Sequence, residues 1–272
     1  MTENVDKNNK IGFCDSGVGG LTVYSKFRKL LDTEDCIFFG DLKNSPYGDK
    51  TKEQLVGYSR NVFDFFKSKG VKAVVMACNT TSASTYPVIK NEYDFKIYPI
   101  IQSCAKIIAD LSIKKLGIFA TSSTINSGVY ESEIHKYNSN MEIFSQACPE
   151  WVRIVESNSS TKQENIDIIK KDLDKMMKHN PEKIILGCTH YPYLIDVLSQ
   201  YAPKDMFIDP SQFFVEFIKN DLEKSDLLNS KNSKGTEEFY VSANPDAFKK
   251  ASKMFYKTDN VQLLNLEKIK TV

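Results

Sequence analysis

Two segments of the 272-residue chain repeat one short plan, and that repeat constrains the fold more than any other feature. Lys72-Ala-Val-Val-Met-Ala-Cys78-Asn-Thr and Glu182-Lys-Ile-Ile-Leu-Gly-Cys188-Thr-His each run an unbroken apolar stretch into a small residue, a cysteine and polar side chains. Unbroken apolar runs of this length mark strands buried on both faces, as in parallel sheets. The two cysteines lie about one domain length apart. Ligands in open α/β sheets bind outside the carboxyl ends of the strands. Two similar units, meeting with those ends together, would turn both thiols toward one cleft.

The remaining chain keeps the same alternation. Strands are expected at Lys10–Cys14, Cys36–Gly40, Lys72–Ala77, Lys96–Ile101, Lys115–Ala120, Glu142–Gln146, Lys183–Gly187, Met206–Ile208 and Phe239–Ser242. Helical spacing is clearest at Lys52–Lys69, Ser103–Leu111, Gln163–Lys178 and Leu194–Tyr201, with a last helix at Pro245–Tyr256. In Lys52–Lys69 the apolar residues Leu55, Tyr58, Val62, Phe65 and Phe66 recur on one face. The polar stretch Glu223–Glu238 reads as an exposed connection. The fold class is α/β with parallel sheets.

Charge and composition exclude several functions. With 36 basic and 35 acidic side chains the net charge is +1, which offers no electrostatic footprint for nucleic acid. An aromatic content of 11% and the lack of long single-sign blocks argue against disorder. The apolar runs are far shorter than a membrane span, so no membrane partner is expected. Met1–Lys10 is polar and has no apolar core of an export signal. The six cysteines lack C-x-x-C spacing and are expected to be reduced thiols in the cytoplasm.

Cys78 and Cys188 admit two readings. A free cysteine is often just a small buried hydrophobe. Here, however, both end a strand and precede side chains suited to capping, where the start of a helix favours thiolate. A disulfide redox pair is disfavoured because the cysteines sit on separate units. Zinc would need three or four ligands, and after His190 no fourth is evident. A Cys188–His190 nucleophile pair leaves Cys78 idle. Two opposed thiols suit the removal of a proton from one face of a carbon and its return to the other. Asp15-Ser-Gly-Val-Gly-Gly20 offers a tight turn with exposed N–H groups suited to a carboxylate, but it is neither G-x-G-x-x-G nor a P-loop. Asp15 could orient an amine or a thiol, or simply cap the next helix. Pro46-Tyr47-Gly48 is by itself a turn signal with a partly buried tyrosine. His135 and His179 lie in charged segments and read as solvated.

Five segments in order resemble one family: I-G-F-C-D-S-G-V-G-G-L-T-V at 11–23, G-D-L-K-N-S-P-Y-G at 40–48, A-C-N-T-T-S-A at 77–83, G-I-F-A-T-S-S-T-I-N-S-G-V-Y at 117–130 and G-C-T-H-Y-P at 187–192. Together they are similar to the glutamate racemases, within the cofactor-independent aspartate/glutamate racemase superfamily. The resemblance implies two pseudo-symmetric α/β domains with the active site between them. Their expected extents are residues 1–97 plus 210–272, and residues 98–209. It also implies interconversion of L- and D-glutamate without pyridoxal phosphate or metal, supplying D-glutamate for peptidoglycan. By matching position, Cys78 and Cys188 become the acid/base pair, tuned by Asp15 and His190. Asp15, Ser16, Tyr47, Gly48, Asn79, Thr80, Thr121, Thr189 and His190 become substrate contacts. A small-molecule substrate follows, with no nucleic-acid or membrane partner; a homodimer is possible, dimers being the commonest assembly of soluble proteins.

Several positions depart from the family pattern. Cys14 stands where phenylalanine is common, and Gln102-Ser103 replaces Glu-Pro. Glu150, Trp151 and Arg153 replace apolar residues and proline in Cys148–Glu156, which keeps its terminal glutamate as a further candidate site residue. These changes are expected to alter oligomer contacts, side-pocket shape or regulation rather than the reaction.

Overall fold

Alternate side chains of each strand enter different apolar layers, which is why the sequence shows unbroken apolar runs. In the computed structural model, which describes residues 6–266, ten parallel strands form two sheets. The first holds β1 (Ile11–Asp15), β2 (Cys36–Gly40), β3 (Ala73–Met76), β4 (Lys96–Pro99), β9 (Glu237–Val241) and β10 (Val261–Leu263), in the order β10-β9-β2-β1-β3-β4. The second holds β5 (Lys115–Ala120), β6 (Glu142–Ala147), β7 (Lys183–Gly187) and β8 (Phe207–Ile208), in the order β6-β5-β7-β8. Residues 1–5 and 267–272 lie outside the described residues. The start of the segment read as lacking an export signal and both ends of the first expected domain therefore do too.

The helices follow the strands along the chain: α1 (Leu21–Leu30), α2 (Lys52–Ser68), α3 (Asn79–Ser84), α4 (Tyr86–Ile89), α5 (Ile100–Ala109), α6 (Ser122–Asn126) and α7 (Val129–His135). After these come α8 (Glu150–Glu156), α9 (Gln163–Met177), α10 (Ile195–Leu198), α11 (Ser211–Lys224) and α12 (Pro245–Ser252). Ile11, Phe13, Phe38 and Val75 of the first sheet share a central layer with Leu116, Ile118 and Ile185 of the second. Ile101, Cys104 and Ile108 of α5, with Phe214 and Ile218 of α11, fill the same layer. The opposite face of the first sheet, through Ile37, Phe39, Val74 and Met76, packs on Phe63, Phe65 and Phe66 of α2. On the second sheet, Phe119, Ile184 and Leu186 face Trp151, Ile169 and Leu173. Among the described residues no helix is long and apolar enough to cross a membrane.

The structure shifts several expected boundaries. The strand expected to reach Ile101 stops at Pro99, and the helix expected from Ser103 already starts at Ile100. Ile100 and Ile101 are fully buried on that helix, and an apolar run alone does not tell a strand end from a buried helix start. The helix expected at Leu194–Tyr201 is only α10, since Leu194 belongs to the preceding 3-10 turn and the helix stops at Leu198. Pro245–Tyr256 stays helical only to Ser252. The edge strand β10 carries too short a pattern to be read.

The polar stretch Glu223–Glu238 is not simply an exposed connection, since α11 runs into it and Asn229 is buried. The Asn229 N–H donates to Glu34 Oε1 at 2.7 Å, and Glu34 Oε2 accepts from Lys72 Nζ at 2.6 Å. Lys72 and Glu34 are both buried, and Lys72 also donates to the carbonyl of Lys7 at 2.6 Å. Thr236 and Lys231 bind Asp35 beside them. A buried ion pair is tolerated when extra hydrogen bonds satisfy both groups, but losing one partner strands a buried charge. Lys72→Met should therefore cost about 3–5 kcal/mol in urea unfolding. The Glu34→Gln/Lys72→Met pair should recover much of that loss, and a single variant within 1 kcal/mol of the parent would contradict this account.

Candidate active site

Cys78 follows the end of β3, where Ala77 still donates to the carbonyl of Cys14 at 3.1 Å. An extended backbone at Cys78 (φ −68°, ψ 120°) turns the chain into α3. The first turn locks this corner, because the Cys78 carbonyl accepts from the Ser82 N–H at 3.0 Å and from Thr81 Oγ1 at 3.1 Å. Burial pushes the Cys78 thiol up to about 12; the charges of Asp15 and Cys188 add to that, and hydrogen bonding from Thr81 opposes it. Beside it, Asn79 Oδ1 accepts from the Tyr130 hydroxyl at 2.7 Å. Thr80 Oγ1 lies 2.9 Å from Thr121 Oγ1, so a residue after the first sheet meets one after β5 of the second.

Cys188 follows β7 in the same way. The 3-10 turn Tyr191–Leu194 comes next, and the Tyr191 N–H donates to the Cys188 carbonyl at 3.1 Å. The Tyr191 hydroxyl donates to the carbonyl of Cys148 at 2.7 Å. His190 is buried, with Nδ1 3.7 Å from Cys188 Sγ and Nε2 3.1 Å from Glu156 Oε1. Burial alone would lower the imidazole pKa, but hydrogen bonds to Cys188 and Glu156 outweigh it and raise it to about 10. At neutral pH His190 is then an imidazolium, and any negative charge on the neighbouring sulfur has a counter-ion.

Asp15 ends β1 and ties these halves together. Its Oδ1 accepts from the Gly17 N–H at 3.0 Å, and its Oδ2 accepts from Thr189 Oγ1 at 3.4 Å. Burial raises Asp15 to about 6, against the lowering by His190 and the backbone N–H groups of Gly17 and Gly20. From the first turn of α1, Thr22 Oγ1 donates to the Thr189 carbonyl at 2.8 Å. Gly19 allows this approach: a Cβ there would lie 2.4 Å from His190 Cε1 and 2.5 Å from Thr189 Oγ1.

A cavity of about 710 Å³ lies over these strand ends. Ser16, Tyr47, Gly48, Cys78, Asn79, Thr80, Thr121, Cys188, Thr189 and His190 all line it. Asp15 is not among the residues on its wall and meets the site through Thr189, whose hydroxyl it accepts from. Tyr47 is held by its hydroxyl, which donates to Asp41 Oδ2 at 2.5 Å, and by stacking on Tyr58. A neighbouring cavity of about 850 Å³ shares Ser45, Pro46, Glu156 and Ser157 but reaches neither cysteine. His135 and His179 are exposed and line neither cavity.

Ser45, Asp49, Ser122 and Val152 also line the cavity and were not expected there, and so do Glu150 and Arg153, singled out above only as departures from the family pattern. Glu156 was only a further candidate, and its bond to His190 makes it part of the site. The retained glutamate at the end of Cys148–Glu156 was the one available signal. The family departures separate clearly. Glu150 and Arg153 pair at the cavity rim at 2.8 Å, and both are exposed. Trp151 is core, packed on Phe119 and Tyr191, with its indole N–H donating to Asp172 at 2.8 Å. Gln102 exchanges two hydrogen bonds with Ser82, joining α5 to α3. Cys14 is buried, its thiol 3.7 Å from the Val75 carbonyl. Two thiols on one cavity wall, one beside a carboxylate and one beside an imidazolium, can give and take protons.

The sequence profile of the Asp/Glu/hydantoin racemases matches residues 15–218. The chain is 36% identical to a glutamate racemase of a Thermoanaerobacter species over 262 residues, covering 95% of this chain and 98% of that protein. A glutamate racemase of Carboxydothermus hydrogenoformans is 33% identical over 261 residues, covering 95% and 97%. Among solved structures, the glutamate racemase of Francisella tularensis in complex with D-glutamate superposes with a TM-score of 0.89 at 30% identity, covering 96% of this chain and 99% of that one. Picrophilus torridus aspartate racemase, at 17% identity and a TM-score of 0.58, shares the fold over 78% of this chain and 93% of its own.

Gly19→Ala should push His190 and Thr189 off their positions and cost about 1–3 kcal/mol in urea unfolding. The His190 ring, followed by NMR titration, should move down from about 10 toward the ordinary histidine value. An unchanged titration in the folded variant would show that this close approach does not hold the imidazole.

Proposed function

The chain belongs to the Asp/Glu/hydantoin racemase family, and from that premise we propose that it is a cofactor-independent glutamate racemase that works with two cysteines. The observation that carries the reading is the placement of Cys78 and Cys188 at matching strand ends on the wall of one cavity. In the proposed step a thiolate on one side removes the Cα proton as a new S–H bond forms. The electron pair left on Cα passes into the adjacent carboxylate. The thiol on the other side then delivers its proton to the opposite face and is left as thiolate. Charge and protons balance, and the reverse reaction runs the same path with the thiols exchanged.

The two thiols have different charged neighbours. Cys78 faces an ionised Asp15 and is kept as a thiol up to about 12, whereas Cys188 faces the imidazolium of His190. We therefore assign Asp15 and His190 as the tuning groups, one beside each thiol. Ser16, Tyr47, Asn79, Thr80, Thr121 and Thr189 supply neutral polar groups that can hold two carboxylates by hydrogen bonds. The substrate is a small molecule, and its product would serve peptidoglycan assembly. We also read each sheet with its helices as one domain of the pair.

Proton NMR in D2O with L-glutamate tests the reading. D-glutamate formed early should carry deuterium at Cα while the remaining L-glutamate keeps its proton, and Cys78→Ala and Cys188→Ala should each abolish conversion. Exchange on L-aspartate instead would keep the chemistry and change the substrate. No exchange on either, in folded protein with free thiols, would leave a binding protein.

The activity should follow a bell in kcat/KM. Asp15, raised to about 6, loses its charge below that pH, and His190, raised to about 10, loses its charge above it. Activity is expected to fall on both sides of that window. Glu156→Gln removes one of the bonds that raise His190, so its alkaline limb should move to lower pH. An alkaline limb that stays in place would remove Glu156 from the proton network.

A further inference from the structure

We infer that Tyr130 is a positioning residue for the reaction proposed above, on which this inference rests. It sets the direction of the Asn79 amide and packs both half-sites on one ring. Tyr130 lies on α7, is buried, and serves none of the acid/base steps. Its hydroxyl donates to Asn79 Oδ1 at 2.7 Å and has no other hydrogen-bond partner among the described residues. Asn79 is buried on the cavity wall directly after Cys78, and its Nδ2 has no hydrogen-bond partner among the described residues.

An amide has an acceptor end and a donor end, and a buried donor left unpaired is costly unless something in the site takes it up. With Oδ1 filled by the phenol, the two N–H bonds of Nδ2 remain for a substrate carboxylate. Turning the amide over would leave the phenol hydrogen without an acceptor. It would also present an oxygen, in place of N–H groups, to an anion. Tyr130 thus makes the donor orientation the favoured one before substrate arrives.

The same ring reaches the other half-site. A Cβ on Gly187, the residue before Cys188, would lie 3.0 Å from Tyr130 Cε2. Glycine at 187 lets the ring sit directly against the end of β7. One side chain is therefore fastened by its hydroxyl next to Cys78 and rests with its edge next to Cys188. The ligand chemistry this serves is the carboxylate of an amino-acid substrate, held by a neutral donor.

Tyr130→Phe removes the hydroxyl and keeps the ring. In the racemisation assay its KM for both L- and D-glutamate should rise about tenfold, the size expected for losing one oriented hydrogen bond to a charged group. Its kcat should stay within about threefold of the parent, because the thiols are untouched. Asn79→Ala should raise KM by a similar factor, and adding Tyr130→Phe to it should change KM no further. A KM within twofold of the parent in Tyr130→Phe, or effects of the two substitutions that multiply, would overturn the inference. So would a fall in kcat at unchanged KM, the mark of a merely structural role. Parent protein without turnover would overturn the racemase reading and this inference with it, whereas parent turnover with an unaltered Tyr130→Phe overturns this inference alone.

Discussion

The contact of the glycine turn after β1 with Thr189 and His190 is the interaction on which the site depends. Neither sheet alone holds a complete set of groups. The first brings Cys78, Asp15 and Asn79; the second brings Cys188, His190 and, through α8, Glu156. What joins them is short-range and polar: the Thr22 hydroxyl on the Thr189 carbonyl, Thr189 on Asp15, and Thr80 on Thr121. These contacts act at the carboxyl ends of the strands, while the apolar layer of α5 and α11 holds the sheets together behind them. The apolar layer supplies most of the cohesion, being large and non-directional. The hydroxyl contacts fix the register of one half-site against the other.

That division also orders the electrostatics. Asp15, Cys78, Cys188 and His190 are buried close together, and the exposed Glu156 reaches His190 from the cavity rim. In such surroundings each charge shifts its neighbour more than it could in water. Burial and the charge of Asp15 raise Cys78, and the bonds to Cys188 and Glu156 raise His190. Two chemically identical side chains thereby have unlike neighbours, a carboxylate beside one and an imidazole beside the other.

The strands and both cysteines were legible in the sequence because a strand buried on both faces must be apolar at every position. β3 and β7 meet that condition, and a cysteine after each breaks the run visibly. Ile100 and Ile101 misled the reading for the same reason, since a buried helix start is equally apolar. Glu156, Arg153 and Tyr130 could not be placed because their roles come from a helix crossing over strand ends far away in the chain. No local period encodes that crossing. The buried bond of Asn229 to Glu34 was hidden in a stretch whose composition is that of a surface loop.

The sheet order has a consequence for how the chain is made. β2 lies between β1 and β9, with Cys36 opposite Glu237 and Phe38 opposite Phe239. A chain emerging from the ribosome with its amino end first has β2 early but must wait for some two hundred further residues before the neighbouring strand exists. All strands of the second sheet are synthesised in that interval. The domain begun first is thus the one finished last, and an unpaired apolar strand edge stays open throughout synthesis of the other. For this protein the vulnerable period is biosynthesis, and the end of the chain that closes it is the part farthest in sequence from where it began.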